Sequence, residues 1–337
     1  MNKISFESAG KWMLADFDTP IDMDFWVSGQ CNMRCRYCVH SLEKNHAARK
    51  NLVPGLLPWE TFRKIADDLK AFPRPVFSAN FCGVGEPLVH PRLEDMVAYL
   101  HENKIVQFIE LTTNALLLTR ERAKRLLDSG INMLEISIQG VDEAGYERMC
   151  GVPADPRRIA DVLTFVKEYK SPDTFLLVRT LDVALPGEED EVRFHELFDP
   201  IADQTLVANA VALYQGMDYS ELIPVPKHQF GQESIRYTPA CPLIFASLHA
   251  RPNGDISVCP LPTCPEILGN IRDHTLPELW NSERRWKILL DHALCQRENC
   301  EACNGCTQPE MLAGGAQPSA GLAERIREHL EKSRSVK

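Results

Sequence analysis

Long apolar runs are missing from this chain. No stretch of about 18 residues is uninterruptedly hydrophobic, and residues 1 to 20 hold no apolar segment flanked by basic residues. Neither a membrane span nor a secretory signal is therefore expected. Basic residues are outnumbered, 37 against 47 acidic, for a formal net charge of −10. A general polyanion-binding surface, and with it a nucleic-acid partner, is not expected. Apolar residues are plentiful at 44% of 337 positions, enough for one domain of about 200 to 250 residues and a smaller one. Cysteine is abundant, with twelve residues clustered at both ends of the sequence. In a large chain without an export signal this points to metal clusters in a reducing cytoplasm rather than to disulfides.

The densest group is Cys31, Cys35 and Cys38, spaced Cys-x3-Cys-x2-Cys within eight residues. A [4Fe–4S] cluster is usually closed by four cysteines, so three thiolates leave one iron open to a substrate or cofactor. A zinc site is the competing reading, with His40 two residues past Cys38 as fourth ligand.

From about residue 23 to 211, β-rich runs alternate with helical stretches. The pattern predicts strands over 24–28, 76–81, 108–113, 133–138, 174–179 and 205–208, with helices near 60–71, 92–103, 119–128, 156–169 and 187–198. Such α/β alternation fits a doubly wound sheet or a partial barrel. The three-cysteine loop follows the first strand, and four more segments fall at predicted strand ends. These are Cys82-Gly83-Val84-Gly85-Glu86-Pro87, Thr112-Thr113-Asn114-Ala115, Ser137-Ile138-Gln139-Gly140 and Arg179.

Together with the aromatic Tyr37 before the third cysteine, these segments resemble the radical S-adenosylmethionine (radical SAM) superfamily. The resemblance implies a partial (β/α)6 TIM-like barrel and a [4Fe–4S] cluster whose open iron is chelated by S-adenosylmethionine. Tyr37, Gly83, Gly85, Glu86, Pro87, Thr113, Asn114, Ser137, Gln139 and Arg179 are the implied cofactor-binding residues. Valine at position 84, alanine at 115 and glutamine at 139 depart from the family pattern. For Arg179 the alternative is a salt bridge to the acidic run Glu188 to Glu191.

Seven cysteines lie between Cys241 and Cys306. Cys241, twelve residues, Gly254, four residues and Cys259 match the opening of a SPASM motif, with Pro252-Asn253-Gly254-Asp255 as a hairpin turn, and Cys300-x2-Cys303 follows forty residues later. The resemblance implies one auxiliary [4Fe–4S] cluster on Cys241, Cys259, Cys300 and Cys303, a twitch-like arrangement. The expected organisation is an N-terminal extension (1–22), a core (23–212), a linker (213–240), a SPASM/twitch domain (241–310), then a flexible link through Gly314 to Pro318 and an amphipathic helix (311–337) carrying Leu322, Ile326 and Leu330.

In such enzymes a 5′-deoxyadenosyl radical abstracts a substrate hydrogen, and an auxiliary cluster suggests oxidation or epimerisation. Epimerisation needs a thiol donor, for which Cys150, Cys264, Cys295 and Cys306 are candidates. Only about 22 residues precede the first strand, whereas many peptide-modifying relatives carry a leader-binding module there. A small molecule such as a sugar, aminocyclitol or nucleoside is therefore the expected substrate, with a ribosomal peptide or protein as the alternative and an iron–sulfur electron carrier as the non-enzymatic one. Flavodoxin or ferredoxin is the expected reductant. Replacing Cys31, Cys35 and Cys38 together by alanine should abolish cofactor cleavage and leave about four iron per chain, as read by iron analysis and 5′-deoxyadenosine formation.

Overall fold

A computed structural model describes residues 18–226, 228–229, 237–261, 266–312 and 318–335. Cys264, residues 314–317 of the link and most of the N-terminal extension lie outside them. The first two thirds run β1 Asp22–Phe25, α1 Trp59–Leu69, β2 Ser78–Phe81, α2 Leu93–Glu102, β3 Phe108–Thr113, α3 Arg120–Asp128, β4 Met133–Ser137, α4 Glu143–Cys150, α5 Pro156–Tyr169, β5 Phe175–Leu181, α6 Glu188–Phe198 and β6 Gln204–Ala208. After them come α7 Leu243–Ala246, β7 Ser247–Ala250, β8 Asp255–Ser257, β9 Ile267–Asn270, α8 Leu276–Trp280, α9 Glu283–Ala293, α10 Gln308–Leu312 and α11 Leu322–Ser335.

All strands share one sheet in the order β6-β5-β4-β3-β2-β1-β7-β8-β9. Strands β1 to β6 are parallel neighbours, forming an open, partial (β/α)6 barrel. The C-terminal module is built onto this sheet, for β7 pairs in parallel with β1, placing Asp24 opposite His249, and β8 and β9 continue antiparallel.

Local signals explain the helices. Thr119 caps α3, Asp142 caps α4, and Asp155 caps α5 ahead of Pro156. Along α1, Phe62, Ile65, Ala66 and Leu69 recur at helical spacing and are buried. In α11, Leu322, Ile326 and Leu330 are likewise buried, and His329 stacks on Trp286 of α9 at 3.7 Å between ring centroids.

Strand alternation separates two environments. Met23, Phe25, Phe81, Leu111, Ile136 and Val178 belong to the apolar core. The opposite faces of the same strands carry polar side chains that pair between neighbouring strands. Ser78 bonds to Asp22, Asn80 Nδ2 donates to Asp24 at 2.8 Å, and Arg179 meets Glu135 at 3.1 Å. Parallel barrels usually fill this space with branched apolar residues.

Three expectations change. The first strand ends at Phe25 rather than Ser28, because Ser28 leaves the ladder to bridge Leu56. Strand five continues to Leu181, so Arg179 lies within it. Helix α4 was not anticipated, since its apolar residues Tyr146, Met149 and Cys150 cover less than one full helical stripe.

Phe25 is fully buried, with ring centroids 5.0 Å from Phe62 and 5.5 Å from Phe81; Phe25→Ala should cost about 3–5 kcal/mol in urea unfolding. Burial pushes Asp22 from 3.8 up to about 6, with Asp24 adding to the rise and the Ser78 bond and His249 opposing it. A raised folded-state pKa means that its stabilisation is complete below the unfolded value and is lost as pH rises through about 6. Asp22→Asn should therefore stabilise the chain by about 3 kcal/mol at pH 8 and by roughly half that at pH 5, measured from denaturation midpoints.

Candidate active site at the strand ends

The loop after β1 is clamped by its own backbone. Gly29 N–H donates to the Gly55 carbonyl and Leu57 N–H to the Val27 carbonyl, each at 2.9 Å. A Cβ on Gly29 would lie 1.7 Å from the Val53 carbonyl oxygen, so only glycine permits this approach. The cysteine segment follows, and the end of α4 holds it: Arg34 N–H donates to the Cys150 carbonyl and Arg36 N–H to the Met149 carbonyl, both at 2.9 Å.

The loop after β2 packs directly on it. Glu86 N–H donates to the Gln30 carbonyl at 2.8 Å, and a Cβ on Gly85 would fall 2.0 Å from the Ser28 carbonyl oxygen. Gly83, at φ 113°, leaves no room for a Cβ beside the Trp26 ring. The Glu86 carboxylate is buried and accepts three hydrogen bonds: from Thr113 Oγ1 at 2.5 Å, Leu88 N at 2.9 Å and Asn114 N at 2.9 Å. Burial raises its pKa, and the Asn114 and Thr113 donors oppose the rise. Asn114 in turn donates from Nδ2 to Asn32 Oδ1 at 2.8 Å, tying the β3 loop to the cysteine loop. Ala115 sits at φ 60°, the left-handed conformation for which glycine is the usual choice.

Several predicted contacts are already committed within the protein. Tyr37 Oη donates to Gln139 Oε1 at 2.7 Å, so Gln139 orients the cysteine loop. Arg179 pairs with Glu135 on the neighbouring strand; it does not reach the run Glu188 to Glu191, because alternation turns it inward. Ser137 lies opposite Arg179 on the neighbouring strand. Pro87 begins a short 3-10 turn that Glu86 caps.

The three thiols are half-buried. Cys31 is pushed up to about 12, mainly by burial, with charge on Glu86, Cys38 and Cys35 adding to the rise. Burial also raises Cys38 to about 12, and Cys35 rises well above its ordinary value through its contact with Cys150 and through burial. Adjacent half-buried thiols that resist ionisation as bare groups suit a cationic iron core, which supplies the missing positive charge. This donor set therefore fits a cluster.

A second thiol group lies in the C-terminal module. Cys303 is driven well up by Cys300 and by burial, with charge on Cys259 and Cys241 contributing, so the four cysteines share one neighbourhood. Cys300 is lowered because Cys303 donates to it. Cys241 is raised to about 12 by burial and then by Cys306, and its N–H donates to His292 Nδ1 at 2.9 Å. Cys241 precedes α7 rather than lying on the hairpin's first strand.

The thiol-donor candidates are not drawn together. Cys306 adjoins Cys241, Cys295 is exposed, and Cys150 is buried behind Cys35. Burial raises the Cys82 thiol well above its ordinary value, with charge on Asp24, Glu110, Glu135 and Asp22 adding to the rise. Sequence reading also missed the pair of His249 Nδ1 and Asp24 Oδ2, 2.7 Å apart. Polar residues alternating through parallel strands, which are usually continuously apolar, were the available signal.

Residues 27–198 match the radical SAM superfamily, and residues 241–307 match the SPASM iron–sulfur cluster-binding domain. The chain belongs to the radical SAM superfamily. It is 33% identical to the tungsten-containing aldehyde ferredoxin oxidoreductase cofactor-modifying protein of Pyrococcus furiosus, over 87% of this chain and 91% of that one. It is 29% identical to the PqqA peptide cyclase of Streptomyces rochei, over 90% of each. Against the PqqA peptide cyclase of Bradyrhizobium diazoefficiens, the 28% identity covers 47% of this chain and only 39% of the relative. Among solved structures, Streptococcus suis SuiB bound to precursor peptide SuiA superposes with TM-score 0.58 at 16% identity, over 79% of this chain and 65% of that one.

This radical SAM protein carries a [4Fe–4S] cluster, an auxiliary cluster and S-adenosylmethionine as its cofactors. No helix among the described residues is long and apolar enough to cross a membrane. Because Gly85 touches backbone on the cysteine loop, Gly85→Ala should weaken S-adenosylmethionine binding at least about tenfold in the reconstituted protein, as read by equilibrium dialysis.

Proposed function

We propose that this radical SAM enzyme oxidatively modifies a peptide or protein, with Cys31, Cys35 and Cys38 holding the radical-generating cluster and Cys241, Cys259, Cys300 and Cys303 the auxiliary one. Reduced, the first cluster and S-adenosylmethionine supply a 5′-deoxyadenosyl radical. The chain's own task is to position the substrate, to take up a proton and to conduct one electron away.

The observation that carries the oxidative reading is the Asp24–His249 pair. His249 is buried, its Nδ1 lies 2.7 Å from Asp24 Oδ2 but outside hydrogen-bond alignment, and its Nε2 has no hydrogen-bond partner among the described residues. Asp24 is itself fixed by Asn80. Such a pair orients an imidazole to receive a proton from a substrate that has lost a hydrogen atom. Cys241, Cys259, Cys300 and Cys303 would hold a cluster that would supply an acceptor for the remaining electron, in a module that shares the sheet through β7 and β1. Loss of one hydrogen atom, one proton and one electron is a two-electron oxidation.

The peptide assignment rests on the peptide cyclase relative, similar over 90% of both chains. It replaces the preference for a small molecule, which rested only on the short segment before β1. A small-molecule or cofactor substrate is the second reading, favoured by the Pyrococcus relative. Ferredoxin or flavodoxin is the proposed reductant.

The discriminating experiment supplies the anaerobic, reduced enzyme with S-adenosylmethionine and either the peptide or the small-molecule fraction of a cell extract. The peptide fraction should accelerate 5′-deoxyadenosine formation and yield a peptide lighter by two hydrogens. Acceleration by the small-molecule fraction alone would favour the second reading, and a product of unchanged mass in ordinary water that takes up a single deuterium when the reaction is run in deuterium oxide would favour epimerisation through Cys82. Cys300→Ala with Cys303→Ala should preserve 5′-deoxyadenosine formation and halt product, and His249→Gln should do the same while keeping both clusters.

A further inference from the structure

Two side chains from distant parts of the sequence reach the sulfurs of the cysteine loop. Cys150 ends α4 and is fully buried, with its Sγ 3.5 Å from Cys35 Sγ. Its place is fixed independently of that contact. The carbonyls of Cys150 and Met149 accept the N–H groups of Arg34 and Arg36, and Gly151 turns the chain away at φ 66°. On the other side, the Tyr214 side chain lies beside Cys38. Tyr214 N–H donates to Tyr219 Oη at 3.1 Å, and that hydroxyl donates to the Tyr37 carbonyl at 3.2 Å, so the aromatic cover is anchored to the loop it covers.

We propose that the Cys150 thiol and the Tyr214 hydroxyl donate hydrogen bonds to the sulfurs of Cys35 and Cys38 when these ligate the radical-site cluster, and that these two positioning residues set its reduction potential. The proposal rests on the ligand assignment above. A ligating cysteine has no proton to give, so the proton in the Cys35···Cys150 contact must then sit on Cys150. A donor aimed at a ligand sulfur stabilises the reduced cluster, which carries the extra electron, more than the oxidised one. At Cys150 the effect is not diluted, because no solvent reaches the thiol. Nothing in the three-cysteine spacing signals either residue; Cys150 is 115 positions from its partner.

The test is a potentiometric EPR titration of the S-adenosylmethionine-perturbed cluster signal in the reconstituted full-length protein. Wild type is compared with Cys150→Ala, Cys150→Ser, Tyr214→Phe and the Cys150→Ala/Tyr214→Phe double variant. The midpoint should become more negative in Cys150→Ala and in Tyr214→Phe, and more so in the double variant, with partial recovery in Cys150→Ser and unchanged iron and sulfide. Tyr214→Phe deletes one oxygen and keeps the test decisive if Cys150→Ala folds poorly. Equal midpoints and g-values throughout would overturn the proposal alone. Loss of iron from folded Cys150→Ala would make Cys150 a ligand and also overturn it. Absence of a perturbed signal in wild type would overturn the ligand assignment and the proposal with it.

Discussion

The Glu86 carboxylate is the point through which the candidate active site is held together. A buried carboxylate is expensive to desolvate, and three donors offset that cost here: the hydroxyl of Thr113 and the backbone N–H groups of Leu88 and Asn114. Hydrogen bonds to a charged acceptor contribute about 1.5–3 kcal/mol each, so the group is stable only while the loops after β2 and β3 both stay in place. Through Asn114 and Asn32 the constraint passes to the cysteine segment. Glycines at 29 and 85 complete it by allowing backbone-to-backbone contact that any side chain would prevent. In consequence the cysteine loop, the glycine-rich loop and the Thr-Asn turn form one rigid unit, which a cluster and its cofactor need if reacting atoms are to be held in register.

Below this unit the strands divide their labour by alternation. Outward-facing residues make the apolar core against the helices, and this core bears the stability. Inward-facing residues form a polar shaft in which Asp22, Asp24, Glu135, Arg179 and His249 are paired across strands. Keeping these groups out of water is costly, as the rise of Asp22 to about 6 shows. Perturbed titratable groups gathered in one cleft are a mark of functional sites, and the proposed proton uptake would draw on the Asp24–His249 contact.

The auxiliary module is joined to the barrel in the same sheet. By adding β7 in parallel to β1, the fold brings His249 to Asp24 and ties the second thiol group to the strand that leads into the first. The pairing therefore places the Asp24–His249 contact and the C-terminal module along one structural seam.

Much of this was legible in the sequence. Cysteine spacing marked Cys31, Cys35 and Cys38 as one group, because a short segment enforces closeness. Five core helices and the six barrel strands followed from periodicity and caps, which act over a few residues. What tertiary structure alone decided were partners across strands and between loops. Arg179 was read as a cofactor ligand or a surface ion pair, and strand register gave it Glu135. Gln139 was read as a ribose or carboxylate contact, and loop packing gave it Tyr37. Cys150 and Cys306 appeared free, and folding set one against Cys35 and the other beside Cys241. The physical reason is common to all of them: spacing along the chain fixes which groups can meet locally, whereas meetings between residues a hundred positions apart depend on register, alternation and packing.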